Sequence, residues 1–120
     1  MIFALLLAAQ ALPTTPLPPA MEPAINLYSE CVFGRVAAAT ENVRRRRLDR
    51  RANMASAKAA LRACAVTREK AMMQAEAALA AEPGFAEPER RRSFIQQRFA
   101  GLDVLVLETA NGRLDPDNWK

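Results

Sequence analysis

The sequence predicts an all-α protein: a disulfide-stapled helical hairpin with a third amphipathic helix, following a cleaved signal peptide. Three observations carry this reading. Of 120 residues, 51% are apolar but only 6% are aromatic, and alanine supplies most of the apolar count while glycine occurs four times, a usage that suits closely packed helices. Residues 35–82 contain neither proline nor glycine, so propensity permits helix throughout. Two cysteines, Cys31 and Cys64, then decide how such a helix must be divided.

The N-terminal "MIFALLLAAQAL" has the length of a signal-peptide apolar region and is too short to span a bilayer. Ala9-Gln10-Ala11 fits cleavage after Ala11, and "PTTPLPPA" offers a second site after Ala20. Pro13, Pro16, Pro18 and Pro19 make the following leader stiff and extended. The expected organisation is a signal peptide and Pro-rich leader over 1–20, a helical domain over 21–112 and a flexible tail over 113–120. Against export stands an n-region without Lys or Arg; initiation at Met21 is the competing reading, and it would leave both thiols reduced in the cytosol.

In an oxidising compartment two cysteines imply one bridge, Cys31 with Cys64, contributing on the order of 3 kcal/mol through loop closure. In one continuous helix these residues would stand about 50 Å apart, whereas a disulfide needs Cα atoms within about 7 Å. The chain must therefore reverse between them, near Arg47 and Leu48. That midpoint falls within "ENVRRRRLDRRAN", where Arg44, Arg45, Arg46, Arg47, Arg50 and Arg51 point in nearly every direction on a helical wheel. A segment that is polar all round is not buried in a bundle, so the run belongs at the hairpin tip, with Thr40 and Asp49 as candidate N-caps.

Helix one is expected from about Pro23 to Thr40, offering Leu27, Tyr28, Cys31, Gly34 and Ala38 to the cysteine side. Helix two, from about Asp49 to Ala81, carries two apolar stripes. One holds Ala57, Ala60, Leu61, Cys64, Ala71, Met72, Ala75 and Leu79; the other holds Ala52, Ala55, Ala59, Ala63, Val66, Met73 and Ala77. Two apolar faces imply two neighbours, which makes helix two the central member, with Lys58, Arg62, Glu69 and Glu76 on its exposed edge. "EPGF" at 82–85 ends it. Pro88, with Glu87 and Glu89, opens helix three, which runs to about Ala110 with Asn111-Gly112 as C-cap. Phe94, Ile95, Phe99, Leu102, Leu105 and Val106 form its core stripe. A strand over "DVLVLE" is disfavoured because it has no partner strand.

Catalytic chemistry is poorly provided for. The chain has no histidine, so Ser29, Ser56 and Ser93 lack a base, and two bridged cysteines leave no sulfur metal site. "DPDN" at 115–118 lacks the glycine and distal glutamate of a calcium loop. No enzyme activity, metal or cofactor is expected. Of 17 basic residues 14 are arginine, the formal charge is +4 and the pI is near 9.7, which favours phosphate and carboxylate surfaces. The candidate anion-binding residues are the six arginines of the tip together with Arg90, Arg91 and Arg92, although solvated helix surface is the ordinary reading of each set. Arg98, inside the stripe between Phe94 and Leu102, is expected to snorkel, to pair with a glutamate of helix two, or to meet a ligand. Met21, Met54, Met72 and Met73 are expected in the core, with an adaptable client surface as the alternative.

"LYSECV" at 27–32 and "ALRAC" at 60–64, behind an apolar leader, resemble small exported Ala-rich helical proteins of Gram-negative bacteria with a Tyr-x-x-Cys and a downstream Cys. The resemblance covers residues 1–80 and implies the stapled hairpin without supplying an activity. A likeness to periplasmic helical chaperones is one of shape and charge only, because their Leu-Thr-x-x-Gln repeats are missing. The function expected is non-enzymatic, structural or interactive, in the periplasm or outside the cell, with a protein or an anionic envelope component as partner and no transmembrane helix in the mature chain. The alternatives are a basic binder of anionic ligands or unfolded clients, and a cytosolic nucleic-acid-binding hairpin starting at Met21. Nucleic acid is disfavoured because no aromatics interleave the arginines.

Overall fold

The computed structural model describes residues 16–43 and 50–110, the side chains of 39–43 and 50 excepted. Every regular element among them is helical: α1 (Glu22–Val43), α2 (Arg50–Ala63), α3 (Ala65–Ala80) and α4 (Pro88–Ala110), with 3₁₀ turns at Pro19–Met21 and Pro83–Phe85. The all-α hairpin with a third amphipathic helix is thus the fold. Residues 1–15 of the expected signal peptide and leader, Arg44 to Arg47, Asp49, Asn111-Gly112 and the 113–120 tail lie outside the described residues, as does the side chain of Thr40.

Cys31 and Cys64 are bridged, with their Cα atoms 6.1 Å apart. Tyr28, one turn before Cys31, meets Arg68, one turn after Cys64, so α1 runs antiparallel to α2 and α3. On α4 the order reverses again: Arg91 pairs with Glu76, and Asp103 with Arg68. The turn between α3 and α4 follows from its residues. Pro83 cannot continue α3, a 3₁₀ turn closes through Phe85 N to Glu82 O (3.1 Å), and Pro88 takes the first position of α4, where its missing N–H costs nothing.

Helix two is not continuous. It breaks at Cys64, whose backbone (φ −96°, ψ 11°) leaves the helical well for the bridge region. The break is one residue wide: Cys64 N still donates to Ala60 O (2.9 Å) and Arg68 N to Cys64 O (2.8 Å). Local propensity gives no sign of it, since alanines flank the site; the residue that departs is the one tied covalently to α1.

The packing corrects the expectation of a central helix. Ala57, Ala60, Cys64, Ala71, Ala75 and Leu79 of the first stripe are buried, whereas Ala55, Ala59, Ala63 and Ala77 of the second are exposed. Val66 and Met73, also of the second stripe, are 68% and 73% exposed. Helices in a row require two apolar faces of the middle member; helices in a triangle require one face of each. Here α1 and α4 touch directly, the Tyr28 and Phe99 rings lying 5.6 Å apart, and both sit on the same small-residue stripe. Alanines there let backbones approach closely, and no described element covers the second stripe.

The stripe of α1 also shifts. Met21, Ala24, Tyr28 and Val32 are buried and Cys31 is half-buried, while Leu27, Gly34 and Ala38 face outward. α4 follows its predicted stripe more closely: Ile95, Phe99 and Val106 are buried with Ala110, Phe94 and Leu102 pack against them, and Leu105 is 40% exposed. Leu17, expected in the leader, also packs against this core.

Because the bridge joins the two arms of the hairpin, Cys31→Ser or Cys64→Ser is expected to lower unfolding stability on the order of 3 kcal/mol. Urea denaturation followed by circular dichroism checks this, and reductant should bring the parent protein to the same midpoint while leaving the variants unmoved.

Candidate functional site

The three consecutive arginines at the start of α4 diverge, as 100° spacing requires. Arg91, its side chain 13% exposed, bonds Glu76 Oε1 through Nε at 2.8 Å and donates Nη1 to the carbonyls of Phe85 and Ala86 at 2.9 Å each. It fastens the α3–α4 turn and is spent there. Arg90 lies over the Phe85 ring at 5.6 Å. Arg92 alone turns toward a groove on the side of α3, so these residues do not form one anion site. Of the tip arginines, Arg51 is exposed, Arg50 opens α2 and the other four lie outside the described residues.

The groove beside Arg92 holds about 370 Å³, walled by Met72, Met73, Ala77 and Ile95, with Arg92 and Glu76 at its rim. Two of its residues come from the first stripe of helix two or the core of α4, and two from the uncovered stripe. Methionine suits such a surface because its unbranched, polarizable chain adapts to irregular apolar shapes. Met21 is buried as expected, and Met54 and Met72 are half-buried; only Met73 departs from the core reading.

A polar cluster joins three helices at the centre. Tyr28 of α1 donates its hydroxyl to Asp103 Oδ1 of α4 in a short hydrogen bond. Arg68 of α3 bonds Asp103 Oδ2 through Nη2 (3.0 Å) and Nε (3.2 Å), and its guanidinium lies 5.8 Å from the Tyr28 ring and 5.9 Å from that of Phe99. Both charged side chains are less than a third exposed, 29% for Arg68 and 27% for Asp103. Burial pushes the Tyr28 phenol well above its ordinary value, and the hydrogen bond and negative charge of Asp103 push it further, with Arg68 opposing weakly. The phenol therefore stays protonated and donating. Arg68 Nη1 also donates to Met72 Sδ at 3.2 Å, and the cluster registers the three helices against one another.

The sequence reading missed this cluster, although a signal exists. Arg68 fills the gap at the turn between Cys64 and Met72 in the buried stripe, and Asp103 falls one turn from Phe99 in the stripe of α4. Two opposite charges inside two apolar stripes mark a pair that can meet only if those stripes face each other. Arg98 makes no pair with a glutamate of helix two among the described residues. It lies over Phe94 at 5.1 Å, with no carboxylate partner among the described residues, and its Nη2 is buried without a hydrogen bond.

Among the described residues no group of His, Cys, Asp or Glu is placed to hold a metal, and no helix is long and apolar enough to cross a membrane. The fold and these surfaces define a class, a disulfide-stapled helical scaffold with an uncovered apolar face. Compared with known proteins, the chain matches no family model, no curated protein and no solved structure.

The chain has one tyrosine, so phenolate absorbance reports Tyr28 alone. Titration of the folded protein should show no phenolate near the usual value of about 10, and Asp103→Asn should move the titration downward. The raised folded-state value means that Tyr28 contributes its full stability below pH about 10 and loses it as the pH rises further. Tyr28→Phe should cost about 1 kcal/mol, and Asp103→Ala, which strands both Arg68 and the phenol, about 2–3 kcal/mol.

Proposed function

We propose that this protein is an exported, non-enzymatic binding protein whose partner is a polypeptide segment presenting apolar side chains next to carboxylates. The observation that carries the proposal is the exposure of Met73, at 73%, in a groove of about 370 Å³ rimmed by Arg92, with Val66, 68% exposed, two turns earlier on the same stripe of helix two. Large exposed apolar side chains grouped around a concavity mark interaction surfaces more often than isolated ones do. A cation at the rim contributes orientation and favours an acidic flank. Export is supported by the Cys31–Cys64 bridge, which persists in oxidising compartments. Among the two cleavage sites, the one after Ala11 retains Leu17 in the mature chain, where it packs on the core; intact mass of protein from its native cell fraction tests this, and loss of 20 residues would refute it. The resemblance to small exported Ala-rich proteins agrees with this reading and adds no partner.

A second reading rests on charge. Arg90 and Arg91 are engaged with Phe85 and Glu76, and subtracting the six arginines of the tip from the formal charge of +4 leaves −2. The basic character of the protein therefore resides in residues 44–51, the segment joining α1 to α2 and the first two residues of α2. A protein with these six arginines replaced by serine should lose binding to anionic liposomes and keep its helicity; unchanged binding would refute an anion-binding role.

For the leading reading, Met73→Glu with Val66→Asp should leave the fold intact, because both side chains are already exposed. The double variant should suppress the aggregation of a chemically unfolded acidic client about tenfold less efficiently than the parent, by light scattering. Equal suppression by parent and variant would show that this face is not the binding surface.

A further inference from the structure

The exposed stripe of helix two is ordered about its own centre. At 100° per residue, Ala55, Ala59, Val66, Met73 and Ala77 fall within an arc of about 40°, and all five are exposed. Ala59 and Met73 stand seven residues to either side of Val66, and Ala55 and Ala77 eleven. The break at Cys64 keeps helical hydrogen bonds on both sides, so the stripe continues through it. One flank of the stripe carries Lys58 and Arg62 before Val66, and Glu69 and Glu76 after it. Lys58 and Arg62 repel at i,i+4, and neither has a carboxylate three or four residues away on its own helix; Glu69 likewise has no base at that spacing. Arg62 and Glu69 are exposed and enter no ion pair among the described residues.

From this pattern we infer that the stripe binds a second copy of the chain, helix two against helix two, antiparallel about a two-fold axis at Val66. In that arrangement Val66 meets Val66, and the long Met73 of each copy lies against the small Ala59 of the other, so that large fills the space beside small on both sides of the axis. A two-fold axis brings like flanks together. Arg62 of each copy therefore lands beside Glu69 of the other, and Lys58 is directed toward Glu76, which Arg91 holds through Oε1 and whose side chain is 42% exposed. Lys70, level with the second copy's Arg62, lies on the opposite flank, beside the second copy's Ala63. Parallel pairing is disfavoured by the same residues, since it sets Arg62 against Arg62 and Glu69 against Glu69. The stripe from Ala55 to Ala77 spans about 33 Å of helix, a contact at the small end of specific interfaces, so dimerisation in the micromolar range or weaker is expected. The pairing uses Val66 and Met73, as the client reading does, but does not rest on it: a second copy covers the face, and a client has to displace it.

The test is sedimentation equilibrium on the oxidised full chain, from micromolar to millimolar concentration. The parent should pass from monomer to dimer. Arg62→Glu should weaken dimerisation at least about tenfold, as should Glu69→Arg, because each sets like charges across both symmetric contacts. The double variant Arg62→Glu with Glu69→Arg should return to within about threefold of the parent, the coupling that a direct contact between copies requires. Within one helix the two residues stand seven apart, outside the i,i+3 and i,i+4 contacts, so a monomer has no such coupling. All three variants exchange exposed side chains, and circular dichroism should show unchanged helix content. The inference is overturned if the parent remains monomeric throughout, if Arg62→Glu dimerises as the parent does, or if the double variant does not regain the dimer. Client aggregation is followed on the same samples. A monomeric parent that suppresses it through Val66 and Met73 overturns the pairing alone, and a dimer that suppresses nothing overturns the client reading alone.

Discussion

The Cys31–Cys64 bridge is the constraint on which the other contacts depend. Without it, a stretch of alanine-rich chain free of proline and glycine has no reason to stop being one helix. With it, the chain must reverse, and the register of the two arms is set to the residue. Placing Cys31 opposite Cys64 puts Tyr28 opposite Arg68 one turn away. Arg68 and Tyr28 together then capture Asp103, which draws α4 across both arms. A covalent link between two helices thus fixes the position of a third through one carboxylate.

That carboxylate sits in a small core whose largest buried side chains include Tyr28 and Phe99. Charged groups at such a place are costly unless each is paired and hydrogen-bonded. Their pairing is specific, because a shift of α4 by one residue would move Asp103 away from both partners and leave three polar groups stranded. The alanine stripe has little shape of its own with which to resist sliding. The polar cluster supplies that resistance, and it also accounts for the raised Tyr28 phenol. Arg91 has the same role at the other end of α3, where it holds Glu76 and two turn carbonyls.

Triangular packing explains where binding surfaces are to be found. Each helix gives one face to the shared core, so helix two retains an apolar stripe that no other described element covers. Val66 and Met73 lie on it, and the groove bounded by Arg92 adjoins it. A second opening lies along α4, lined by Leu17, Ile25, Gly101, Leu102 and Leu105. Val66 and Met73, the large exposed members of the helix-two stripe, lie outside the buried core.

The sequence by itself determined the helical stretches, their approximate outer ends and the reversal between the cysteines, but not the break at Cys64. These follow from local propensity, from Pro83 and Pro88, and from the short reach of a disulfide, none of which requires knowledge of a neighbour. It also marked most of the α4 stripe, because Ile95, Phe99 and Val106 are large enough to reveal their side. Only the tertiary structure decided which of two alanine stripes was buried, since alanines on opposite faces of a helix are equivalent until another helix chooses between them. The same holds for Arg68 and Asp103. Their places inside two apolar stripes are legible from the spacing, but only the packing shows that those stripes face each other and bring the two charges together.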